Sequence, residues 1–163
     1  QYKIDNVPEH KIEIVPYDVK YRNAWRLINQ QWIEKLFVME PEDIANLNDP
    51  EKFVLDKGGE IYFTLLDGEP VGAVALKKHS ATRFELSKMG VLPGAQGHGL
   101  GHMLVEKTIE RYHARGGEEL FLETNASLTP AITLYKKHGF KEIPPLENSP
   151  YTRADYFMEL EAH

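Results

Sequence analysis

Apolar and polar positions along the chain follow periods that predict strands and helices in a definite order. Residues 11–16 alternate polar and apolar side chains, as a half-buried strand does. Residues 17–37 predict a helix with Asp18 as a plausible cap, and we expect both of its tryptophans in the core. The apolar stripe of this helix consists of Trp25, Ile28, Trp32 and Leu36.

The next part of the chain predicts a short helix, a loop and three strands. Pro41 begins the short helix, and residues 48–59 form a loop with a brief ordered piece. Two strand-like runs in residues 60–78 flank Asp67-Gly68, which is a strong hairpin signal. A third strand over residues 83–93 ends at a proline.

Helices and strands alternate in the rest of the chain. Helical spacing predicts a helix over residues 100–115, and residues 118–125 form a strand. The next helix begins after Ser127 as its cap and ends near Gly139. Residues 140–160 hold two final strands joined by a proline-rich loop.

This order, β-α-α-β-β-β-α-β-α-β-β, predicts an α/β (α+β) fold built around one mixed sheet. We expect about seven strands and about four helices in a single domain over residues 1–163. The hairpin favours antiparallel pairing in the first half of the sheet. The strand-helix-strand unit across residues 83–125 favours one parallel pair.

Composition is that of an ordinary globular protein and limits the partners. Of the 163 residues, 42% are hydrophobic and 27% are charged. The net charge of −6 argues against nucleic acid as the main partner, although one local anion site remains compatible with it. The chain has no cysteine, which excludes disulfides, thiolate metal sites and a cysteine acyl-enzyme.

The sequence shows no sign of membrane insertion or export. No apolar run reaches the roughly 20 residues that span a bilayer, and "QYKIDNVPEH" at the N-terminus is not a signal peptide. We therefore expect an intracellular, cytoplasmic protein with no membrane partner. The first residue is glutamine, which is compatible with a piece of a longer chain.

A glycine-rich loop at residues 94–101 lies between a predicted strand and a predicted helix. The first N–H groups of a helix have no internal partner, and this end of the helix dipole is positive. Glycines let an anion approach those N–H groups, so the loop is a candidate phosphate site. The alternative is a connection that only helps the helix and strand to pack.

The spacing of the glycines in this loop limits the classes of ligand that it could bind. A P-loop would end in Gly-Lys-Ser/Thr, but Leu100 follows Gly99. A dinucleotide fingerprint needs a third glycine where His102 stands. His98 and His102 have the spacing of two metal ligands on a helix, yet the glutamate of an H-E-x-x-H motif is missing. The alternatives are a solvated pair of histidines or a contact of His102 with Glu106.

Three runs in a fixed order, "MGVLPGAQGHGLGHML", "LFLETN" and "AITLYKKHGF", resemble the GCN5-related N-acetyltransferase (GNAT) superfamily. Residues 61–143 carry these motifs. The Gln/Arg-x-x-Gly-x-Gly/Ala loop of the family is similar to Gln96-Gly97-His98-Gly99-Leu100-Gly101. Other segments, including "ELSKM" and "SPYTRADYFMEL", resemble a bacterial subgroup whose members can be fused to a MarR-type regulator domain.

The resemblance implies acetyl-CoA as donor and a primary amine as acceptor, with no metal. It implies a sheet that splays between the strands at 83–91 and 118–125, with the pantetheine arm against the backbone of Met89 and Val91. The diphosphate would lie on the backbone of six loop residues: Gln96, Gly97, His98, Gly99, Leu100 and Gly101. Asn125 would bond the pantetheine or, alternatively, cap the next helix together with Ser127.

Two residues are candidates for the chemistry. Tyr135 occupies the position of the family's acid and could protonate the leaving thiolate; the alternative is a packing role. Glu85 is the candidate base for the acceptor amine, unless it only pairs with a neighbouring cation. Strict strand alternation would place Met89 on the same face as Glu85 and Lys88 on the opposite face, unless a bulge intervenes.

Substrate selection is expected from the segments that flank the acceptor cleft in this fold. The candidates are Glu34, Tyr151 and Arg153. The arginine could hold a substrate carboxylate in two hydrogen bonds, which would suit an amino acid as substrate. Alternatively, it pairs with a surface acid. The leading hypothesis is an acetyl-CoA-dependent N-acetyltransferase that acts on a small amine by direct attack in a ternary complex. A protein or peptide N-acetyltransferase and a non-catalytic acyl-CoA sensor are the alternatives, and homodimers are common in the family.

Overall fold

The computed structural model describes residues 9–162 and shows seven strands in one sheet with four α-helices. The strands are β1 (Ile12–Pro16), β2 (Glu60–Leu66), β3 (Glu69–Lys78), β4 (Arg83–Val91), β5 (Glu119–Thr124), β6 (Phe140–Ile143) and β7 (Tyr156–Leu160). The helices are α1 (Arg22–Leu36), α2 (Pro41–Asn48), α3 (Leu100–Ala114) and α4 (Thr129–Lys137). Most of the N-terminal segment that we compared with a signal peptide lies outside the described residues.

The sheet has the strand order β1-β2-β3-β4-β5-β7-β6. All its pairs are antiparallel except β4–β5, which is parallel. The predicted fold class, hairpin and single parallel pair are therefore confirmed. Among the described helices, none combines the length and the apolar character that crossing a bilayer requires.

Two apolar layers cover the two faces of the sheet. On one face, α1 and α2 pack on the sheet around Trp25, Ile33 and Phe63. On the other face, α3 and α4 pack around Leu104 and Tyr135. Burial on both faces explains why β3 contains an almost unbroken apolar run instead of a strict alternation.

Two local predictions about helix starts need correction, and the brief ordered piece predicted in the loop before β2 is confirmed. Asp18 caps a 3₁₀ turn at Val19–Tyr21 and not α1, whose N-cap is Tyr21. Ser127 does not cap α4 either: the N-cap is Leu128, and the Ser127 N–H and hydroxyl both donate to Asn125 Oδ1. The ordered piece in the predicted loop is a π-helical turn at Glu51–Leu55.

Strand β4 contains a bulge that changes which residues share a face. Ala73 pairs with Gly90 and Ala75 pairs with Ser87, so two residues of β4 lie opposite one residue of β3. Lys88, one of the two, has a positive φ of 54°. The bulge turns the Lys88 side chain toward α2, the same side as Glu85, and Met89 toward the α3 layer. The alternative of a bulge is therefore confirmed, and strict alternation ends before residue 88.

Candidate active site

A cleft of about 540 Å³ opens where β4 and β5 separate. The two strands pair from Arg83 and Glu119 only as far as Glu85 and Phe121. Beyond that point, β5 continues along β7 while β4 continues along β3. The gap between the two strands is bordered by the glycine loop, by α4 and by the end of α1. Parallel strands that separate in this way expose backbone groups to a ligand that enters the gap.

The glycine loop has the conformation that an anion cradle needs. Gly97 and Gly99 have φ values of 92° and 73°, and Gly99 is the N-cap of α3. A Cβ atom added at either glycine would contact nothing within 4 Å, so both face open space. The positive φ and the open approach to the helix N-terminus both explain why glycine occupies these positions.

Backbone donors at the start of α3 are free to bind a ligand. The first N–H of the helix to bond within the chain is that of Met103, which donates to the carbonyl of Gly99. The N–H groups of Leu100, Gly101 and His102 donate to no carbonyl of the described residues. Together with the positive end of the helix dipole, they form a site suited to phosphate oxygens.

Most residues that the resemblance assigned to the donor border this cleft. They are Met89, Val91, Gln96, Gly97, Gly99, Leu100, Gly101 and Asn125. The imidazole of His98 lies outside the cleft and contacts the ring of His10, with 5.1 Å between the two ring centroids. The expected contribution of the His98 backbone to the donor site stays a prediction.

The side chain of Asn125 is already engaged with the protein. Its Nδ2 donates to the carbonyl of Arg153 at 2.8 Å, and its Oδ1 accepts from Ser127. These bonds connect the end of β5 to the segment before β7. Asn125 thus shapes the wall of the cleft, and the expected hydrogen bond from its side chain to the donor stays a prediction.

The histidines at the start of α3 form no metal site. His102 Nδ1 and His138 Nε2 are 2.9 Å apart and share a hydrogen bond. His98 does not take part, and the described residues contain no group of three or more side chains that could hold a metal ion. The other alternative was a contact of His102 with Glu106. Within the described residues, these two side chains form neither a hydrogen bond nor an ion pair.

Tyr135 projects from α4 toward the cleft and is almost fully buried. Its ring packs against Phe140 at 5.9 Å between centroids. Its hydroxyl makes no hydrogen bond to any described residue, and it is not among the enclosed polar atoms that lack a partner. Burial raises the pKa of this phenol, which keeps its proton in place near neutral pH.

Glu85 lies at the narrow end of the cleft and is connected to solvent by a histidine. The exposed fraction of its side chain is 7%, and Oε1 is 2.8 Å from Nε2 of His79. The exposed fraction of the His79 side chain is 38%, and its ring packs on Phe121. A proton that reaches Glu85 can therefore leave through the imidazole.

Sequence reasoning did not single out Glu123, the second carboxylate in the cleft. Burial raises its pKa, and the charge of Glu85 raises it further. Glu123 lies on β5 two residues beyond Phe121, the last residue that pairs with β4. The signal was present in "LFLETN", because a glutamate in an apolar strand next to a predicted gap must be either paired or functional.

Arg153 does not offer a free guanidinium to the cleft. Its two Nη atoms donate to the two oxygens of Asp43 at 2.6 and 2.7 Å, and Nη1 also reaches Glu40 at 3.2 Å. Asp43 is fully buried in α2. The pairing alternative is therefore the one that the structure shows, with internal acids in place of a surface acid, and this pairing argues against a hold on a substrate carboxylate.

Lys88 and Tyr151 complete the same network. Lys88 Nζ donates to Asp43 at 2.7 Å and to the Tyr151 hydroxyl at 2.8 Å. Burial lowers the pKa of Lys88, while the charge of Asp43 opposes this effect. Burial and the charge of Glu85 raise the pKa of Tyr151, whose side chain borders the cleft as predicted.

The acceptor side of the cleft is walled by the end of α1, but not by the residue that we expected. Glu34 faces away from the cleft, bonds to Gln30 and borders a separate surface groove, so its predicted substrate role is wrong. Trp32, which we expected in the core, borders the cleft with Phe37. A Cβ atom added at Gly90 would be 2.5 Å from Cδ1 of Trp32, so the indole lies directly on β4.

Comparison with known proteins places this geometry in one family. The model of the acetyltransferase (GNAT) family matches residues 23–140. The chain is 35% identical over 115 residues to the ribosomal protein bS18 alanine N-acetyltransferase of Salmonella typhimurium, covering 69% of this chain and 73% of that protein. It is 43% identical over 56 residues to the mycothiol acetyltransferase of Catenulispora acidiphila, which is 34% of this chain but only 18% of that protein.

Solved structures share the fold at low sequence identity. An acetyltransferase of the GNAT family from Staphylococcus aureus superposes with a TM-score of 0.83 at 20% identity, covering 92% of this chain and 98% of that chain. The PaiA N-acetyltransferase from Thermoplasma acidophilum, solved with coenzyme A, has a TM-score of 0.71 at 16% identity and covers 93% and 99% of the two chains. Residues 9–162 contain no winged helix, and neither the family model nor these neighbours bear out the remark on fusion to MarR-type regulators.

Proposed function

We propose that this chain, which belongs to the acetyltransferase (GNAT) family, transfers the acetyl group of acetyl-CoA to the primary amine of a small molecule. The observation that carries the proposal is a cleft with an anion cradle at one end and two carboxylates at the other. Tyr135 borders the space between them. Such an arrangement suits direct attack of an amine on a thioester, with both substrates bound at once.

The cradle fits the donor substrate. Gly97 and Gly99 leave open the space that a side chain would fill, and the free N–H groups at the start of α3 suit the diphosphate. The backbone of Met89 and Val91 would hold the pantetheine arm along β4. Acetyl-CoA supplies the acetyl group as a thioester, an activated acyl donor that needs no metal.

Glu85 is the proposed base. An ammonium has no lone pair, so the acceptor must lose a proton before it attacks. Glu85 would take this proton, directly or through water, and His79 would pass it to solvent along the 2.8 Å hydrogen bond. Glu123 would attract the positively charged amine into the cleft as it arrives.

Tyr135 is the proposed acid. Its phenol is held in the protonated form by burial and has no hydrogen-bond partner among the described residues. It is therefore free to donate to the sulfur atom of the departing thiolate. The buried, water-poor end of the cleft would strengthen this hydrogen bond.

The test measures thiol release from acetyl-CoA over a panel of primary amines, peptides with free N-termini included. Parent protein, Glu85→Gln and the matched control Glu34→Gln, which changes an acid outside the cleft, are compared. We expect amine-dependent thiol release that Glu85→Gln lowers about 100-fold and that Glu34→Gln leaves unchanged. Binding of CoA without turnover of any amine would contradict catalysis and favour a sensor.

Peptide N-termini are a second candidate class of acceptor. They are favoured by the likeness to the bS18 alanine N-acetyltransferase, which extends over 73% of that protein. Thiol release with peptides alone would replace the small-molecule proposal by this one. Whether the enzyme works as a homodimer stays a prediction, which light scattering of the purified protein would test.

A further inference from the structure

The acceptor end of the cleft has more negative than positive charge that is not paired within the protein. The cations that border it are Lys88 and Arg153, and both are bonded to the buried carboxylate of Asp43. Only 4% of the Lys88 side chain and 14% of the Arg153 side chain are exposed. Both cations are therefore already paired with a carboxylate of the protein itself.

The acids at this end are not neutralised in the same way. Glu85 is hydrogen-bonded to His79, which carries charge only when protonated. Glu123 makes no ion pair with any described residue, and the pKa shift caused by Glu85 shows that the two carboxylates sense each other. The charge of Lys77 on β3 lowers the pKa of Glu123 in part, but the Lys77 ammonium is itself paired with Glu42 at 3.6 Å.

The side of the acceptor end formed by the end of α1 and the residue after it is apolar. Trp32 lies on β4 at Gly90, and Leu36 and Phe37 continue the same side of the cleft. The guanidinium of Arg153 lies 5.7 Å from the centre of the Phe37 ring, beside this wall, and is paired with Asp43 and Glu40. The site therefore offers negative charge for an ammonium and apolar surface for the body of the molecule.

We infer that the acceptor is a primary amine with an apolar or aromatic body and no carboxylate on the carbon that bears the nitrogen. An α-amino acid would bring its carboxylate within two bonds of the reacting nitrogen, beside Glu85 and Glu123. Like charges in a site of low dielectric constant repel strongly, and no free cation borders the site, within the described residues, to offset this. The inference rests on the proposed function and replaces the amino acid that a free Arg153 had suggested.

The test compares phenethylamine with phenylalanine, which has the same aromatic body plus a carboxylate. Phenethylamine is at least as basic as phenylalanine, so a faster reaction cannot arise from a larger fraction of free amine. We expect kcat/KM at least tenfold higher for phenethylamine.

A variant shows whether the carboxylates cause this preference. Glu123→Gln removes one negative charge, so the ratio of kcat/KM between phenethylamine and phenylalanine should fall several-fold. Glu34→Gln should leave the ratio unchanged. Calorimetry with CoA present gives a second readout, in which phenethylamine should bind more tightly than phenylalanine.

The outcomes separate the two levels of the argument. Equal or higher kcat/KM for phenylalanine would overturn the inference while leaving the acetyltransferase proposal intact. A ratio that does not change in Glu123→Gln would also overturn it. No thiol release with any amine of the wider panel would instead contradict the proposed function itself.

Discussion

Arg153 and Asp43 join the segment before β7 to helix α2 through two parallel hydrogen bonds of 2.6 and 2.7 Å. Lys88 donates to the same carboxylate from the bulge of β4. Asp43 therefore connects three parts of the chain that are distant in sequence. These are also the parts that enclose the acceptor end of the cleft.

Removal of the Asp43 charge should destabilise the protein. Asp43→Asn leaves two cations close together in a mostly buried place, so we expect the free energy of unfolding to fall by about 3 kcal/mol. Urea unfolding at neutral pH measures this change. Glu119→Gln breaks an exposed ion pair with Arg83 and is the control, expected to cost less than about 1 kcal/mol. Similar losses in both variants would refute a structural role for the buried carboxylate.

A second carboxylate makes stability depend on acid pH. Burial alone would raise the pKa of Glu60, but hydrogen bonds from Arg111, Tyr62 and Arg115 outweigh burial and lower it to about 2. Because this folded-state pKa lies below the unfolded value of about 4.3, the stabilisation is complete above pH 4.3 and is lost as the pH falls through about 2.

Glu60→Gln should therefore lower the free energy of unfolding at pH 7 by about 2 kcal/mol, and parent and variant should converge toward pH 2. Urea unfolding at pH 7, 4 and 2.5 measures the difference. Glu110→Gln is the matched control on the exposed surface. A constant difference between parent and Glu60→Gln at all three pH values would contradict the lowered pKa.

The chain order of elements could be predicted from the sequence because it depends on local periods. Alternation predicted β1, and Asp67-Gly68 predicted the hairpin between β2 and β3. Glycine spacing also predicted the anion cradle, since Gly97 and Gly99 are needed for a local backbone conformation. Features that depend on one short stretch of chain are visible in that stretch.

The acceptor end could not be predicted in the same way, because it depends on contacts between distant residues. In the sequence, Arg153 looks like an arginine that is free to bind a substrate. Only the fold shows that its guanidinium is bound by Asp43, which is 110 residues away. The bulge at Lys88 could not be located from the sequence either. A bulge is defined by how β4 pairs with β3 on both sides of Lys88, and that pairing is a contact between two strands. Glu34 faces the wrong way because helix α1 rotates it toward another groove.

The anion cradle can be tested by filling it. Gly99→Glu places a negative side chain where an added Cβ meets open space, so it should abolish the thermal stabilisation that CoA gives. The positive φ at this position should cost roughly 1–2 kcal/mol in the absence of ligand. Gly94→Ala is the control, because an added Cβ there also contacts nothing and Gly94 has no positive φ. An unchanged CoA effect in Gly99→Glu would place the diphosphate elsewhere.

Tyr135→Phe should separate catalysis from binding. The hydroxyl has no partner among the described residues, so its loss should change the free energy of unfolding by less than about 1 kcal/mol. Turnover should fall about 100-fold, while the affinity for CoA changes little. Tyr112→Phe removes the hydroxyl of another buried tyrosine that does not border the cleft. Equal turnover in the two variants would exclude Tyr135 as the acid.

The last prediction concerns the raised pKa of Glu123, caused first by burial and then by the charge of Glu85. As the pH falls toward this raised pKa, Glu123 gains a proton and stops attracting the ammonium, so KM for the acceptor should rise at a higher pH than an ordinary glutamate would allow. Glu123→Gln should show a KM several-fold higher above this pKa, and the rise on acidification should disappear. KM measured at pH 5 to 8 checks both effects. If Glu123→Gln lowers kcat more than Glu85→Gln does, the two carboxylates exchange the roles assigned to them.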